Sequence, residues 1–235
     1  MKLIILSITT YKEKDAIINA LSEEGIVTFS VNGLLSPKSK NIILSTPLVI
    51  ADVKMKEGKY KYLICESSSL ILSPYSSSDS LTKMAAIAMV GEATNKMLQD
   101  EEKVMMYPLL EKAIKAFKDN IINPYQILIT YLGEVLRIAG YHFDINKCVF
   151  CQTKSNIVNF SFREGGFVCK DCYEFEDDYR FNKEQMLLIR QLLGTNNFDT
   201  GIDIDENNGY TILKEMVTFI YEGLGIKLNN FSLLS

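Results

Sequence analysis

A single histidine in 235 residues leaves most acid–base catalytic triads without a base. That residue, in His142-Phe143-Asp144, stands beside a tyrosine at a helix end and reads as a packing or surface residue. The chain also lacks a Walker-type glycine loop, a dinucleotide fingerprint and a Ser-centred nucleophile elbow, so turnover of a small substrate is not expected. Long apolar runs are missing as well. No segment has eighteen apolar residues in succession, which excludes a helical membrane span. The opening Leu3-Ile4-Ile5-Leu6 run is too short for a signal h-region and has no small-residue cleavage site, so a cytoplasmic location is expected. No internal repeat or sustained low-complexity segment is present. Positive charge is scarce: the net charge of -4 argues against a uniformly basic nucleic-acid binder. Residues 1 to 80 nevertheless carry nine Lys or Arg against eight acids, and the remainder sixteen against twenty-one, so any anion-binding face belongs to the first part.

Four of the five cysteines form two pairs, Cys148-Val149-Phe150-Cys151 and Cys169-Lys170-Asp171-Cys172, seventeen residues apart. A two-residue gap lets each pair grip a metal from one tight turn, and four soft ligands suit a tetrahedral zinc ion. Two disulfides are the alternative, but nothing in the sequence points to an oxidising compartment. Four thiolates fill the coordination shell and leave no open position for water, so one structural zinc per chain is expected rather than a hydrolytic centre. A zinc deaminase would need an H-x-E motif, which the lone histidine does not supply. Cys65, in an apolar strand, reads as a buried small hydrophobe.

Residues 1 to about 72 read as strands punctuated by turns. Five are expected: 2–10, 16–21, 26–31, 48–55 and 60–71, the last two flanking a hairpin signal at Glu57-Gly58. Five short strands without helical crossovers imply a small barrel, either an OB-fold or an SH3-like one. A polar, turn-rich stretch from Ser73 to Asp79 precedes helical periodicity. Asp79 or Ser80 can cap a helix whose inner face carries Leu81, Met84, Ala85, Ala88 and Leu98. Further helices are expected over 104–117, over 124–139 with Asn123 as cap and Gly140 as stop, over 183–193 with Asn182 as cap, and over 210–222 before Gly223. Met84, Met89, Met97, Met105 and Met106 are expected as flexible core filler. Phe160, Phe162, Phe167 and Val168 suggest a short hairpin carrying the metal.

Leu136-Arg137-Ile138-Ala139-Gly140-Tyr141, the first cysteine pair, Phe160-Ser161, Gly165-Gly166-Phe167-Val168 and the second cysteine pair occur in an order that resembles the RecO family of bacterial recombination mediators. Gly33 followed by Ser36-Pro37-Lys38-Ser39 is similar to that family's loop between strands, except that Leu34 and Leu35 follow the glycine where members commonly place basic residues. The resemblance implies an α+β fold: a five-stranded OB-like β-barrel over 1–78, an all-helical domain over 79–145 and 181–235, and an inserted four-cysteine zinc-ribbon-like module over 146–180. It also implies a nucleoid-associated protein of DNA repair and recombination that binds single- and double-stranded DNA and anneals complementary strands. With RecR as partner, such a protein helps load RecA onto DNA covered by single-stranded-DNA-binding protein.

Binding of single-stranded DNA needs positive charge for phosphates and aromatic faces for bases. Lys12 and Lys14 flank the first turn, and Lys38 and Lys40 lie in a loop with Ser36, Ser39 and Asn41, whose polar groups also suit phosphate oxygens. Lys54, Lys56, Lys59 and Lys61 crowd one hairpin with Tyr60 and Tyr62; strand alternation puts Lys59 and Lys61 opposite the tyrosines, as on a solvated face over a tyrosine-lined core. The acid run from Glu174 to Asp178 reads as a solvated exit from the metal module and argues against DNA contact there. Arg137 suits the negative end of its helix. By the resemblance it also suits the acidic, apolar-ended tail of single-stranded-DNA-binding protein. A pure interaction scaffold, in which a partner supplies the DNA contacts, is the competing reading.

Overall fold

The computed structural model describes residues 1–58, 62–77, 79–174, 179–198 and 201–234. Lys59, Tyr60, Lys61 and the acids at 176 to 178 lie outside the described residues. The chain divides into two compact units, residues 1–80 with 91–120, and residues 81–90 with 121–235.

In the first unit, five strands close into a barrel: β1 Lys2–Tyr11, β2 Asp15–Leu21, β3 Ile26–Val31, β4 Ile50–Glu57 and β5 Leu63–Leu72. Their order around the barrel is β1-β2-β3-β5-β4, closed by β1 against β4, with β3 and β5 the one parallel pair among the described residues of the barrel. This is the OB-type arrangement that the strand count alone left open. Alternation sets the interior: Leu3 and Ile5, then Ala16, Ile18 and Ala20, then Phe29 and Val31, then Val49, Ala51 and Val53 point inward. Alanine at several inward positions fits the narrow lumen of a small barrel. Leu34 and Leu44 complete the core from outside the strands, Leu44 within a short 3-10 turn at Ile42–Ser45. Leu34, which stands where family members commonly place a basic residue, is therefore a core residue. Cys65 is half-buried against this cluster, and burial pushes its thiol up.

Helix α1 (Leu81–Met97) runs from one unit into the other, and α2 (Asp100–Asp119) belongs to the first. Asn95 donates to the Leu6 carbonyl at 3.0 Å, and Lys2 pairs with Glu111 of α2 beneath the Tyr107 ring. The inner face expected for α1 is partly wrong. Leu81 and Met84 are exposed, whereas Ala85, Ala86, Ile87, Met89, Val90 and Ala93 are buried. The first turn of α1 has solvent where a 3.6-residue stripe expects a core. Met105 is exposed for the same reason, on the outer side of α2, while Met89, Met97 and Met106 are core residues. Tyr62 is exposed too, against the expectation of a tyrosine-lined core; Lys54 is exposed, and Lys56, more than half exposed, pairs with Glu66 at 3.2 Å.

The second unit is built around α3 (Pro124–Ile138), which is buried on nearly every side and packs against α4 (Lys183–Leu193) and α5 (Glu206–Leu224). Asn123 caps α3 by accepting from the Tyr125 N–H, and the buried Thr130 hydroxyl donates to the Leu192 carbonyl. The last helix is longer than its apolar pattern implied, because Asp205 caps it by accepting from the Asn208 N–H and Gly225 ends it in the left-handed region. Between α3 and α4 lies a three-stranded sheet of β6 (Asp144–Cys148), β8 (Gly166–Cys169) and β7 (Ile157–Ser161). The expected hairpin is β7-β8, and β6 adds a parallel third strand. Among the described residues no helix is long and apolar enough to cross a membrane.

The Asn182 cap is reciprocal: its side chain accepts from the Gln185 N–H at 2.9 Å, and the Gln185 side chain accepts from the Asn182 N–H at 3.0 Å. Replacing Asn182 by alanine removes the acceptor for the Gln185 N–H in the first turn of α4 and is expected to lower stability by about 1 kcal/mol. Urea denaturation followed by circular dichroism measures it.

Candidate metal centre and nucleic-acid face

Cys148 ends β6 and Cys169 ends β8, and both are buried; Cys151 follows in an exposed turn, and Cys172 closes a one-turn 3-10 segment at Lys170–Cys172. Parallel pairing of β6 with β8 thus delivers two cysteines side by side, and each following turn swings a second one back. The first turn is tight: Gln152 adopts φ 65° and its N–H donates to the Cys148 carbonyl at 2.9 Å, while the Cys148 N–H donates to the Thr153 carbonyl at 2.8 Å. All four sulfur atoms lie within 4.8 Å of one another, and Sγ of Cys151 and Cys169 are 3.6 Å apart. Zinc–sulfur bonds of about 2.3 Å place tetrahedral sulfurs about 3.8 Å apart, so the set fits such an ion. None of the five cysteines is in a disulfide.

The electrostatics point the same way. Burial works to raise the Cys148 thiol, but N–H groups of Cys151, Cys169 and Phe150 aimed at its sulfur outweigh this and bring it down to about 6. Cys172 is pushed up to about 12, first by the Cys151 thiol and then by Cys169, burial and Cys148. The thiols of the cluster thus share hydrogen bonds that favour ionisation at Cys148 and disfavour it at Cys172, and a cation bound among them would favour the thiolate form of all four.

Gly166 is where β6 and β8 touch. It has φ 150°, and a Cβ there would sit 2.3 Å from the Asp144 carbonyl oxygen. The double glycine singled out in the sequence therefore marks a close backbone approach. Asn159, buried on β7, ties down the chain leaving the module: its amide donates to the Tyr179 carbonyl at 3.1 Å, and its oxygen accepts from the Phe181 N–H at 3.0 Å. Phe160 packs edge-on against Phe162, Phe167 and Phe181 to form the module's small core.

On the barrel, Lys12 and Lys14 are exposed in the β1–β2 turn, Lys12 at φ 59°, and Lys38 and Lys40 lie in the loop after β3. Two hydrogen bonds join these segments. The Gly33 N–H donates to Asp15 Oδ1 at 2.7 Å, and the Leu35 N–H donates to the Lys14 carbonyl at 3.0 Å. Beside the turn lies a groove of about 490 Å³, walled by Tyr11, Lys12, Ile17, Asn32 and Tyr62. Tyr11 and Tyr62 are both exposed, and the Lys12 ammonium stands 5.1 Å from the Tyr11 ring centre. The sequence reading missed Tyr11; its place at the end of an alternating strand beside two lysines is the signal that could have found it. Arg137, in the other unit, lies on the last turn of α3 with its side chain about half exposed, and is doubly hydrogen-bonded to Glu134 at 2.7 and 2.9 Å. His142 is exposed, in keeping with a surface residue.

Residues 78–229 match the family model for the C-terminal part of recombination protein O. The chain belongs to the RecO family. The curated DNA repair protein RecO of Caldanaerobacter subterraneus subsp. tengcongensis is 25% identical over 193 residues, 81% of this chain and 78% of that protein. That of Clostridium perfringens is 29% identical over 196 residues, covering 82% and 78%. That of Mesoplasma florum is 24% identical over 229 residues, covering 93% and 82%. The RecO match spans α3, the four cysteines, the double glycine and α4 to α5, which are the parts on which the metal centre is built.

Each of Cys148→Ser and Cys169→Ser is expected to remove a bound metal and to lower the melting temperature by several degrees, because metal binding and folding of so small a module are coupled. Elemental analysis of the purified protein, before and after treatment with a strong chelator, together with scanning calorimetry, reads both. A metal-free quadruple serine variant with an unchanged melting temperature would contradict the coupling. Gly166→Ala is expected to destabilise the same module by about 1–3 kcal/mol with its cysteines intact.

Proposed function

We propose that this RecO-family protein is a non-catalytic mediator of DNA repair and recombination whose barrel binds single- and double-stranded DNA. The observation that supports this is a groove holding Lys12 with exposed Tyr11 and Tyr62, next to a turn whose Asp15 and Lys14 are hydrogen-bonded to the start of the loop that carries Lys38 and Lys40. Lysines there neutralise phosphates while the tyrosine rings offer faces on which bases stack, the combination that sequence-tolerant single-strand binding needs. A surface that holds single strands by backbone and stacking leaves base edges open to pair, which suits annealing of complementary strands. With RecR, the protein would then help load RecA onto DNA covered by single-stranded-DNA-binding protein, as the family resemblance implies.

In this reading Cys148, Cys151, Cys169 and Cys172 hold one structural zinc ion, which supplies a cross-link that fixes the two turns and takes no part in chemistry. Arg137 meets the acidic tail of single-stranded-DNA-binding protein by exchanging its neighbour Glu134 for a carboxylate of the tail. The net charge of -4 favours the competing scaffold reading, in which a partner supplies the DNA contacts.

Fluorescence anisotropy of a labelled single-stranded oligonucleotide separates the two. Mediator behaviour predicts binding at about 50 mM salt that falls steeply by about 200 mM. Replacing Lys38 and Lys40 together by alanine should weaken it and reduce the salt slope by about 2, whereas Tyr62→Ala should weaken it and leave the slope unchanged. Absence of binding at the lower salt would favour the scaffold.

A further inference from the structure

Part of the second unit is untouched by either role assigned above. A cavity of about 370 Å³ opens between the chain around β7 and helix α5. Its apolar side is a ring assembly: Phe162 and Phe219 lie nearly parallel at 6.3 Å, and Tyr179 and Phe181 meet at 4.9 Å. Its polar side comes from α5. Glu215, Thr218, Phe219 and Glu222 line the cavity at spacings of three, four and seven, which puts two carboxylates and a phenyl ring on one helix stripe. The positive group at the opening, Arg163, stands 3.7 Å from Glu222, and both side chains are 59% exposed. A contact that long and that exposed contributes little, so Glu222 is readily exchanged to another cation.

We propose that this cavity is a docking site for an arginine or lysine side chain presented by a basic segment of a partner protein. Charge complementarity favours that occupant over an acidic or a neutral one. Two carboxylates line the space a guanidinium would enter, and aromatic faces are themselves electronegative and attract a cation that comes within about 6 Å of the ring centre. The surrounding unit repeats the bias: it holds eleven Lys or Arg against fifteen Asp or Glu, whereas the barrel unit holds fourteen of each. The volume falls in the range of about 300–1,000 Å³ usual for binding pockets, enough for a long side chain whose methylenes lie along the rings while its head reaches the carboxylates. Arg163 acts in this arrangement as an internal competitor for Glu222.

The test is an NMR titration of the isotope-labelled, metal-loaded full-length protein with three capped pentapeptide amides identical except at the centre, which is arginine, norleucine or glutamate. The arginine peptide should shift the amides of Phe162 and Phe219, and the other two should not. Glu222→Gln should weaken the interaction about fivefold, and Arg163→Gln should tighten it by freeing that carboxylate. Thr218→Trp, which fills the cavity without changing charge, should abolish it. Equal binding of the norleucine peptide would overturn the proposal in favour of an apolar anchor site. Preference for the glutamate peptide, lost in Arg163→Gln, would overturn it in favour of an anion site. Binding that survives Thr218→Trp, or no shifts with any peptide up to about 10 mM, would also overturn it.

Discussion

Four sulfur atoms gathered within 4.8 Å are the constraint on which the second half of this molecule depends. The strands that deliver them are four or five residues long, and the sequence of β6, Asp144-Ile145-Asn146-Lys147-Cys148, has little apolar surface of its own. Such a sheet does not hold by pairing alone. What fixes it is that both strands end in a buried cysteine, Cys148 and Cys169, while at their other end Gly166 removes a Cβ that would push the backbone away from Asp144. From there the consequences run outward. β7 aligns on β8, Asn159 fastens the returning chain at Tyr179 and Phe181, and the phenyl rings meet as a small core. A metal held by these four sulfurs would in this sense be an element of folding, since four thiolates leave no coordination position for substrate.

The barrel solves a different problem. Its lumen is filled by inward strand residues of modest size, and the two remaining places are taken by Leu34 and Leu44, which bracket the loop carrying Lys38 and Lys40. Each lysine is therefore a few residues from a buried anchor, and the first part of the loop is further tied to the β1–β2 turn through Gly33 and Leu35. A tethered loop gives up less conformational entropy when a ligand orders it than a free one of the same length. The leucine after Gly33, which departs from the family's basic pattern, gives up a charge at one position and in return fixes the loop that bears the next two.

Strands β1 to β3 were legible to within a residue because their alternation is local and regular; the inward set Ala16, Ile18 and Ala20 can be read directly from spacing. The cysteine ligand set was equally plain, since paired spacing is a local signal with few alternative meanings. What could not be read depends on distant pairing. β6 becomes a strand only through β8, some twenty residues later, and nothing in its composition announces it. The apolar positions Leu81 and Met84 fit a helix stripe, but which side of a helix is covered depends on elements that the stripe does not name. Tyr62 followed an alternation that gave its face relative to its neighbours without saying which face was wet.

Charge is the property that best separates the two units. The total of -4 is not shared: the barrel unit is balanced at fourteen against fourteen, and the whole deficit falls on the unit with the metal centre. Four thiolates around a divalent ion would deepen that deficit by about two charges. This division of charge favours the proposed placing of DNA contacts on the barrel, where lysines are concentrated locally, over the acidic unit. Phosphate contacts made on a balanced unit in a chain of acidic total must be sensitive to salt, because little long-range attraction supports them once the local pairs are screened. The same acidity that disfavours DNA on the second unit suits it to the basic protein segment proposed above. The proposed ligands divide along the same line as the charge, nucleic acid on the barrel and a basic protein segment on the helical unit.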